Sequence, residues 1–203
     1  MSPRKSVPAT RDGLLEAANQ LMLAKGFTAT SVEEICREAG VTKGSFFYYF
    51  RSKEELGKTV SEYYWQTMWG LIEQAPSRTL ADPLERIYGF IDYFIEVAGN
   101  PTVKQGCLLG NFAQELADTY PDIRDVCARW FDQWARELQK DLDAANGKYG
   151  PGDSLDTKGL ANYIIAVIEG SWLLGKAYQD SAVNVRNLGH LKRYIGTVFS
   201  KKG

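Results

Sequence analysis

The sequence predicts an all-α chain, and three observations carry that prediction. Apolar residues recur at helical spacing through nearly every segment between turn signals. Helix-start signals stand where those segments begin: the S-x-x-E spacing of Ser31 and Glu34, the same spacing at Ser52 and Glu55, and the run Asp82-Pro83-Leu84-Glu85. No alternating stretch between turn signals argues for a strand, and no internal repeat or low-complexity tract is present. The pattern gives about nine helices, arranged as a three-helix head over residues 1–60 and a helical body over residues 61–203.

From Thr10 to Lys25, Leu14, Leu15, Ala18, Leu21 and Met22 form one apolar stripe, which Gly26 stops. Ser31 opens the second helix in a capping box with Glu34. Val32, Ile35, Cys36 and Ala39 follow at helical spacing, and Gly40 supplies the permissive backbone for a tight turn. Thr42 caps a third helix that carries the aromatic run to Phe50. On it Phe46 and Phe50 share one face, while Gly44, Ser45 and Tyr48 occupy the opposite side. A residue without Cβ, a hydroxyl and a flat ring with a polar tip suit a DNA groove, and they equally suit a surface helix with spare aromatics.

Ser52 opens a long helix through Leu56, Val60, Tyr63, Tyr64, Met68 and Leu71 to about Gln74, and Ala75 to Ala81 reads as a loop. Asp82 caps a fifth helix to about Ala98, with Pro83 at its first position. Gly99, Asn100 and Pro101 break the chain before a sixth helix from Cys107 to about Tyr120. Pro121 starts a seventh that runs through Ile123, Val126, Trp130, Trp134 and Leu138 to about Ala145. A Gly/Pro/Asp-rich loop, Asn146 to Ser154, precedes the last two helices, Leu155 to Gln179 and Asn184 to Phe199.

Composition narrows the function classes. The formal net charge of −1 leaves no global basic footprint, yet residues 1–60 hold nine Lys and Arg against seven acids, so the head is slightly basic and the body acidic. The N-terminus lacks an apolar h-region and no apolar run is long enough to span a bilayer, so the expectation is a cytoplasmic protein without a membrane partner. Cys36, Cys107 and Cys127 are odd in number and widely spaced, which predicts reduced thiols. His190 is the only histidine and has no E-x-x-H neighbour; the cysteines lack C-x-x-C spacing, and no phosphate-binding or dinucleotide fingerprint is present. Neither a metal site, a cofactor nor an enzyme is expected.

The combination Gly26-Phe27, Thr30-Ser31-Val32 with Ile35, Ala39-Gly40-Val41, Lys43-Gly44-Ser45, Tyr48-Tyr49-Phe50 and Ser52-Lys53-Glu54-Glu55-Leu56 resembles the head of the TetR/AcrR family of transcriptional regulators. The resemblance covers residues 10–60 strongly and the body mainly through helix number and length. It implies a helix-turn-helix over residues 31–50, an effector-binding and dimerisation body, and a homodimer whose two heads read the halves of a palindromic double-stranded operator. It places Lys43, Gly44, Ser45 and Tyr48 against bases or backbone and Thr30, Ser31, Tyr49 and Lys53 against phosphates, and it adds the cap Thr42 and the ring of Phe47, suited to a sugar or a thymine methyl, to the DNA-binding set. Position 47 is commonly Tyr in the family, so Phe47 lacks a hydroxyl. Arg4 and Lys5 form a short basic arm, read either as a groove or phosphate contact or as an uninvolved tail.

In the body the resemblance implies an effector cavity, for which Trp65, Trp69, Phe94, Cys107, Phe112, Trp130, Trp134, Trp172 and Lys176 are the candidates; plain core packing is the alternative for each aromatic. Leu160, Ile164, Ile168 and Trp172, with small Gly170, Ser171 and Gly175, resemble the family's four-helix dimer interface. Gly106-Cys107-Leu108 at the start of the sixth helix also resembles a subgroup that includes electrophile and oxidant sensors, in which Lys176 would stabilise a Cys107 thiolate; a buried small hydrophobe is the competing reading. The expected function is a repressor released from its operator by an unknown small-molecule or electrophilic effector. A helical adaptor without DNA affinity, or a helical enzyme, is the alternative from another class.

Overall fold

The computed structural model describes residues 11–100 and 106–199; the arm containing Arg4 and Lys5 and the break at Pro101 lie outside them. Among the described residues there are nine α-helices and no strand: α1 Arg11–Lys25, α2 Val32–Ala39, α3 Lys43–Tyr49, α4 Lys53–Glu73, α5 Pro83–Gly99, α6 Leu108–Leu116, α7 Pro121–Tyr149, α8 Thr157–Tyr178 and α9 Ala182–Val198. The loops expected after α4 and α7 each contain one 3-10 turn, Pro76–Thr79 and Gly152–Ser154.

The start signals act as the sequence expects. Ser31 Oγ accepts from Glu34 N at 3.2 Å, and Glu34 Oε2 accepts from Ser31 N at 3.0 Å, a complete capping box. The second S-x-x-E is only half a box: Ser52 Oγ accepts from Glu55 N at 3.2 Å, but the Glu55 carboxylate turns to Arg51 N at 2.7 Å. Asp82 Oδ1 caps α5 through Leu84 N at 2.8 Å and Glu85 N at 3.3 Å. Gly40 takes φ 69°, and with Val41 N donating to Cys36 O at 2.9 Å it closes α2 in a left-handed cap.

Two boundaries move for tertiary reasons. α6 stops a turn early at Leu116, where Thr119 N and Tyr120 N both fold back on Leu116 O at 3.0 and 2.8 Å; Pro121 also disfavours helical backbone at Tyr120. α7 runs past the expected Ala145 to Tyr149. Its extra turn is tied down by Asn146, whose side chain donates to Gly152 O at 2.9 Å and accepts from Gly152 N at 3.2 Å, and by Lys148 donating to Asp82 at 2.7 Å.

The chain divides into two compact units. The first comprises the N-terminal segment as far as Thr67 together with Leu108–Arg129; the second comprises Met68–Cys107 and Trp130 onward. The sequence boundary at residues 60/61 therefore omits α6 and the start of α7 from the head's unit. In the first unit Leu14, Ala18, Met22, Phe27, Ile35, Phe46, Phe50 and Leu56 are all buried, and Phe112 of α6 meets the Phe27 ring edge-on at 5.7 Å. In the second unit Arg78 and Arg86 hold the buried Asp141 carboxylate, Arg86 Nε at 2.8 Å.

Leu160, Ile164, Ile168 and Trp172 are 0–7% exposed within the single chain. They belong to its own core, which corrects their assignment to a dimer surface. Gly175 is likewise spent inside the chain: a Cβ there would lie 2.2 Å from Asn184 Oδ1 of α9. The inward face of α8 is the more continuously apolar one, so a reading of α8 alone takes it for an interface. The exposed row is Tyr163, Leu173, Leu174 and Tyr178, joined by Tyr194 of α9, whose ring meets Tyr163 edge-on at 5.3 Å.

Candidate nucleic-acid interface

α3 is seven residues long and is positioned from below. Phe46 and Phe50 are 0% and 2% exposed, and Arg11 lies over the Phe50 ring at 5.5 Å. Thr42 caps its start, with Oγ1 accepting from Ser45 N at 3.2 Å. With those two rings pinned, the helix must present its other side. Tyr48 is 82% exposed and Phe47 56%, Tyr49 is also exposed, and the Tyr48 and Tyr49 rings meet edge-on at 4.9 Å. Lys43 and Gly44 are exposed as well. Gly44 has helical backbone and room for a Cβ, whose nearest neighbour would be Thr42 Oγ1 at 3.6 Å. Nothing inside the chain requires glycine there.

The cations and hydroxyls divide into two groups. Lys43 is exposed and paired with Glu33, whose carboxyl it holds below the usual range. Such an exposed pair exchanges readily for a phosphate. Lys53 is committed internally: Nζ donates to Phe27 O at 3.1 Å and Thr30 O at 3.0 Å and lies 4.3 Å from the centre of the Phe27 ring. Thr30 is wholly buried, its hydroxyl donating to Gly26 O at 2.7 Å. Ser31 Oγ is likewise engaged with Glu34, whose carboxyl is held down to about 2, first by Lys25 and then by Ser31.

Glu115 was not in the sequence reading. Its carboxylate accepts from Phe27 N at 2.9 Å and Thr28 N at 2.7 Å, and it lies so close to Gly26, at φ 87°, that a Cβ there would be 2.7 Å from Oε2. Burial pushes its carboxyl up, but the bonds from Thr28 and Phe27 and the nearby Lys53 outweigh it and hold the group below its ordinary value. A carboxylate 87 and 88 residues along the chain from its partners carries no local sequence signal. The geometry thus fixes the turn before α2 from three sides: Lys53 on its carbonyls, Glu115 on its amides and Phe112 on its ring.

The nine effector candidates are divided between the two units. Trp65 and Phe112 are buried in the first unit. In the second, Phe94 stacks on Trp134 at 5.7 Å, Phe131 stacks on Trp134 at 6.3 Å, and the buried Trp134 Nε1 has no acceptor. Trp69 donates to Glu73 at 2.9 Å along its own helix, Trp130 is half-buried, and Trp172 lies in the core. Cys107, 5% exposed, immediately precedes α6 and is hydrogen-bonded to Glu169, while the expected partner Lys176 is exposed. Clefts within single units include two among the described residues. One of about 450 Å³ is lined by Tyr163, Val167, Gly170, Leu174, His190 and Tyr194 among others, and one of about 250 Å³ by Glu54, Lys58 and residues 119–123. Neither is lined by any of the nine.

Two family models match the chain. Residues 14–59 match bacterial regulatory proteins of the tetR family, and residues 83–191 match the tetracyclin repressor-like C-terminal domain. The chain is 29% identical over 189 residues to the HTH-type transcriptional repressor DhaR of Mycobacterium sp. strain GP1, covering 93% of this chain and 90% of that protein. It is 30% identical over 195 residues to the HTH-type transcriptional repressor NemR of Escherichia coli K12, covering 93% and 94%. The crystal structure of the regulatory protein TetR from Rhodobacter sphaeroides superposes with a TM-score of 0.80 at 28% identity, covering 93% of this chain and 97% of the other. With both halves of the family pattern present, the chain belongs to the tetR family of DNA-binding transcriptional regulators.

Proposed function

We propose that the protein is a homodimeric repressor that reads a palindromic operator through the exposed face of α3 and is released by an effector sensed in its second unit. The observation that carries this reading is the face of Gly44, Phe47 and Tyr48: large rings in solvent beside a glycine that no internal packing requires. DhaR and NemR, both named transcriptional repressors, support the direction of regulation. Lys43, Ser45 and Tyr49 complete the contact surface around those three residues, and Lys53 and Thr30 act one step behind it by holding the turn before α2.

The dimer surface is the exposed side of α8 and α9 around Tyr163, Gly170, Leu174 and Tyr194, where Gly170 has nothing within 4 Å of a built Cβ and leaves space for a second copy. Cys107 is the candidate receiver of the effector signal. It adjoins α6, whose Glu115 grips the turn before α2, so a change at Cys107 alters the residue next to the helix that steadies the head. Footprinting on the intergenic DNA upstream of its own gene tests the reading. The expected result is protection of two symmetric half-sites, abolished by a thiol reagent; binding without sequence preference would exclude it.

A further inference from the structure

Phe47, Tyr48 and Tyr49 are consecutive exposed rings on a helix of seven residues, a patch rather than a scattered apolar side chain, and such a patch marks an interaction surface. Phe47 is the one of the three without a polar atom in its side chain. Its ring is 56% exposed yet held in place, meeting the wholly buried Phe46 ring edge-on at 5.1 Å and 82°. Gly44 lies one turn earlier on the same side of α3. A Cβ built on Gly44 meets only Thr42 Oγ1 within 4 Å, so no atom of the Phe47 ring fills the space above the glycine. Bare backbone and a fixed apolar ring therefore stand side by side, with open space between them.

The major groove offers hydrogen-bond donors, hydrogen-bond acceptors and one apolar group, the C5-methyl of thymine. A ring with neither donor nor acceptor, pressed on a polar base edge, leaves that edge unpaired and costs affinity; pressed on the methyl, it leaves nothing unpaired. A deoxyribose also presents C–H groups, but beside a phosphate oxygen that a hydroxyl-bearing ring such as Tyr49 serves better. We infer that Phe47 is a base-specificity residue that seats the C5-methyl group of a thymine in each operator half-site, with the Gly44 backbone as the floor of the contact. The inference rests on the reading of α3 as the groove-facing helix and names what one of its side chains reads. Cytosine at the same position lacks the methyl and presents an N4 donor, so the ring discriminates against it. The contact releases no counterion, so this preference is independent of salt.

Anisotropy titrations of the full chain test this on duplexes of the footprinted upstream sequence, each thymine of a half-site replaced in turn, with its symmetry mate, by deoxyuridine. Deoxyuridine keeps the pairing and the O4 acceptor and removes only the methyl. At one position the replacement should weaken wild-type binding about fifteenfold, about fourfold per half-site from one buried methyl. The same replacement should leave Phe47→Ala unaffected, because that variant has already lost the contact. Phe47→Leu, which keeps an apolar side chain, should retain part of the penalty, and both variants should keep the wild-type circular dichroism. At that position 5-methylcytosine paired with guanine should bind several-fold better than cytosine. A scan in which no deoxyuridine position depends on residue 47, with Phe47→Ala weakening every duplex alike, would overturn the inference in favour of a sugar contact and leave α3 as the groove-facing helix. The absence of any sequence-specific footprint would overturn that reading and the inference together.

Discussion

Tyr48 and Lys53 resemble one another in sequence as members of a DNA-contacting set, but their surroundings assign them different work. Tyr48 is 82% exposed, whereas the Lys53 ammonium already holds two carbonyls of the head. Lys53→Ala should therefore lower the thermal stability of the head by about 1–3 kcal/mol, the worth of hydrogen bonds from a charged group, and weaken all operators through that loss. Lys43→Ala should leave the melting temperature unchanged and flatten the dependence of log Kd on log salt by roughly one unit. Thermal melts and salt-series titrations of both variants check the division. Equal salt slopes with equal melting temperatures would show that the two lysines do the same thing.

At the scale of elements, α6 braces the turn before α2 within the first unit because Glu115 caps the amides of Phe27 and Thr28. Its carboxyl is held below the ordinary value, so its contribution is fully present above the usual carboxylate range near 4.5 and is lost as pH falls through the lower folded value. Glu115→Gln should match the wild type in acid and fall behind it by about 1 kcal/mol at pH 7, the modest size reflecting the residue's exposure. Melting curves from pH 3 to 7 that stay parallel would contradict this. The existence of α1 to α9 was legible in the sequence because caps and stripes are local signals: Ser31 with Glu34, Asp82 before Pro83, Gly40 after Ala39. The end of α7 was not legible, since Gly147 and Asn146 read as breakers until Asp82, more than sixty residues away, is found holding Lys148. The exposed face of α3 proposed to meet DNA was readable for the same local reason, while the contacts of Lys53, Glu115 and Glu169 depend on partners distant in sequence.

For the whole molecule, the four α8 residues assigned to a dimer surface from their spacing are buried within the single chain, and the exposed row is proposed in their place. Leu174→Asp, on that row, should shift the protein to monomer in light scattering while its helical circular dichroism is kept. Ile164→Ala, in the core, should instead cost about 2–5 kcal/mol of stability. A Leu174→Asp variant that stays dimeric would move the interface elsewhere. The central claim is that the outward side of α3 exists to meet DNA, and Gly44→Ala tests it most directly because the fold has room for the added methyl. By helix propensity the change should stabilise the helix by up to about 1 kcal/mol. By blocking close approach it should weaken operator binding about tenfold or more, the scale of one lost groove contact. Fluorescence anisotropy on the upstream DNA, paired with a melt, is the measurement: weaker binding by a protein at least as stable as wild type is the predicted result, and undiminished affinity would contradict it.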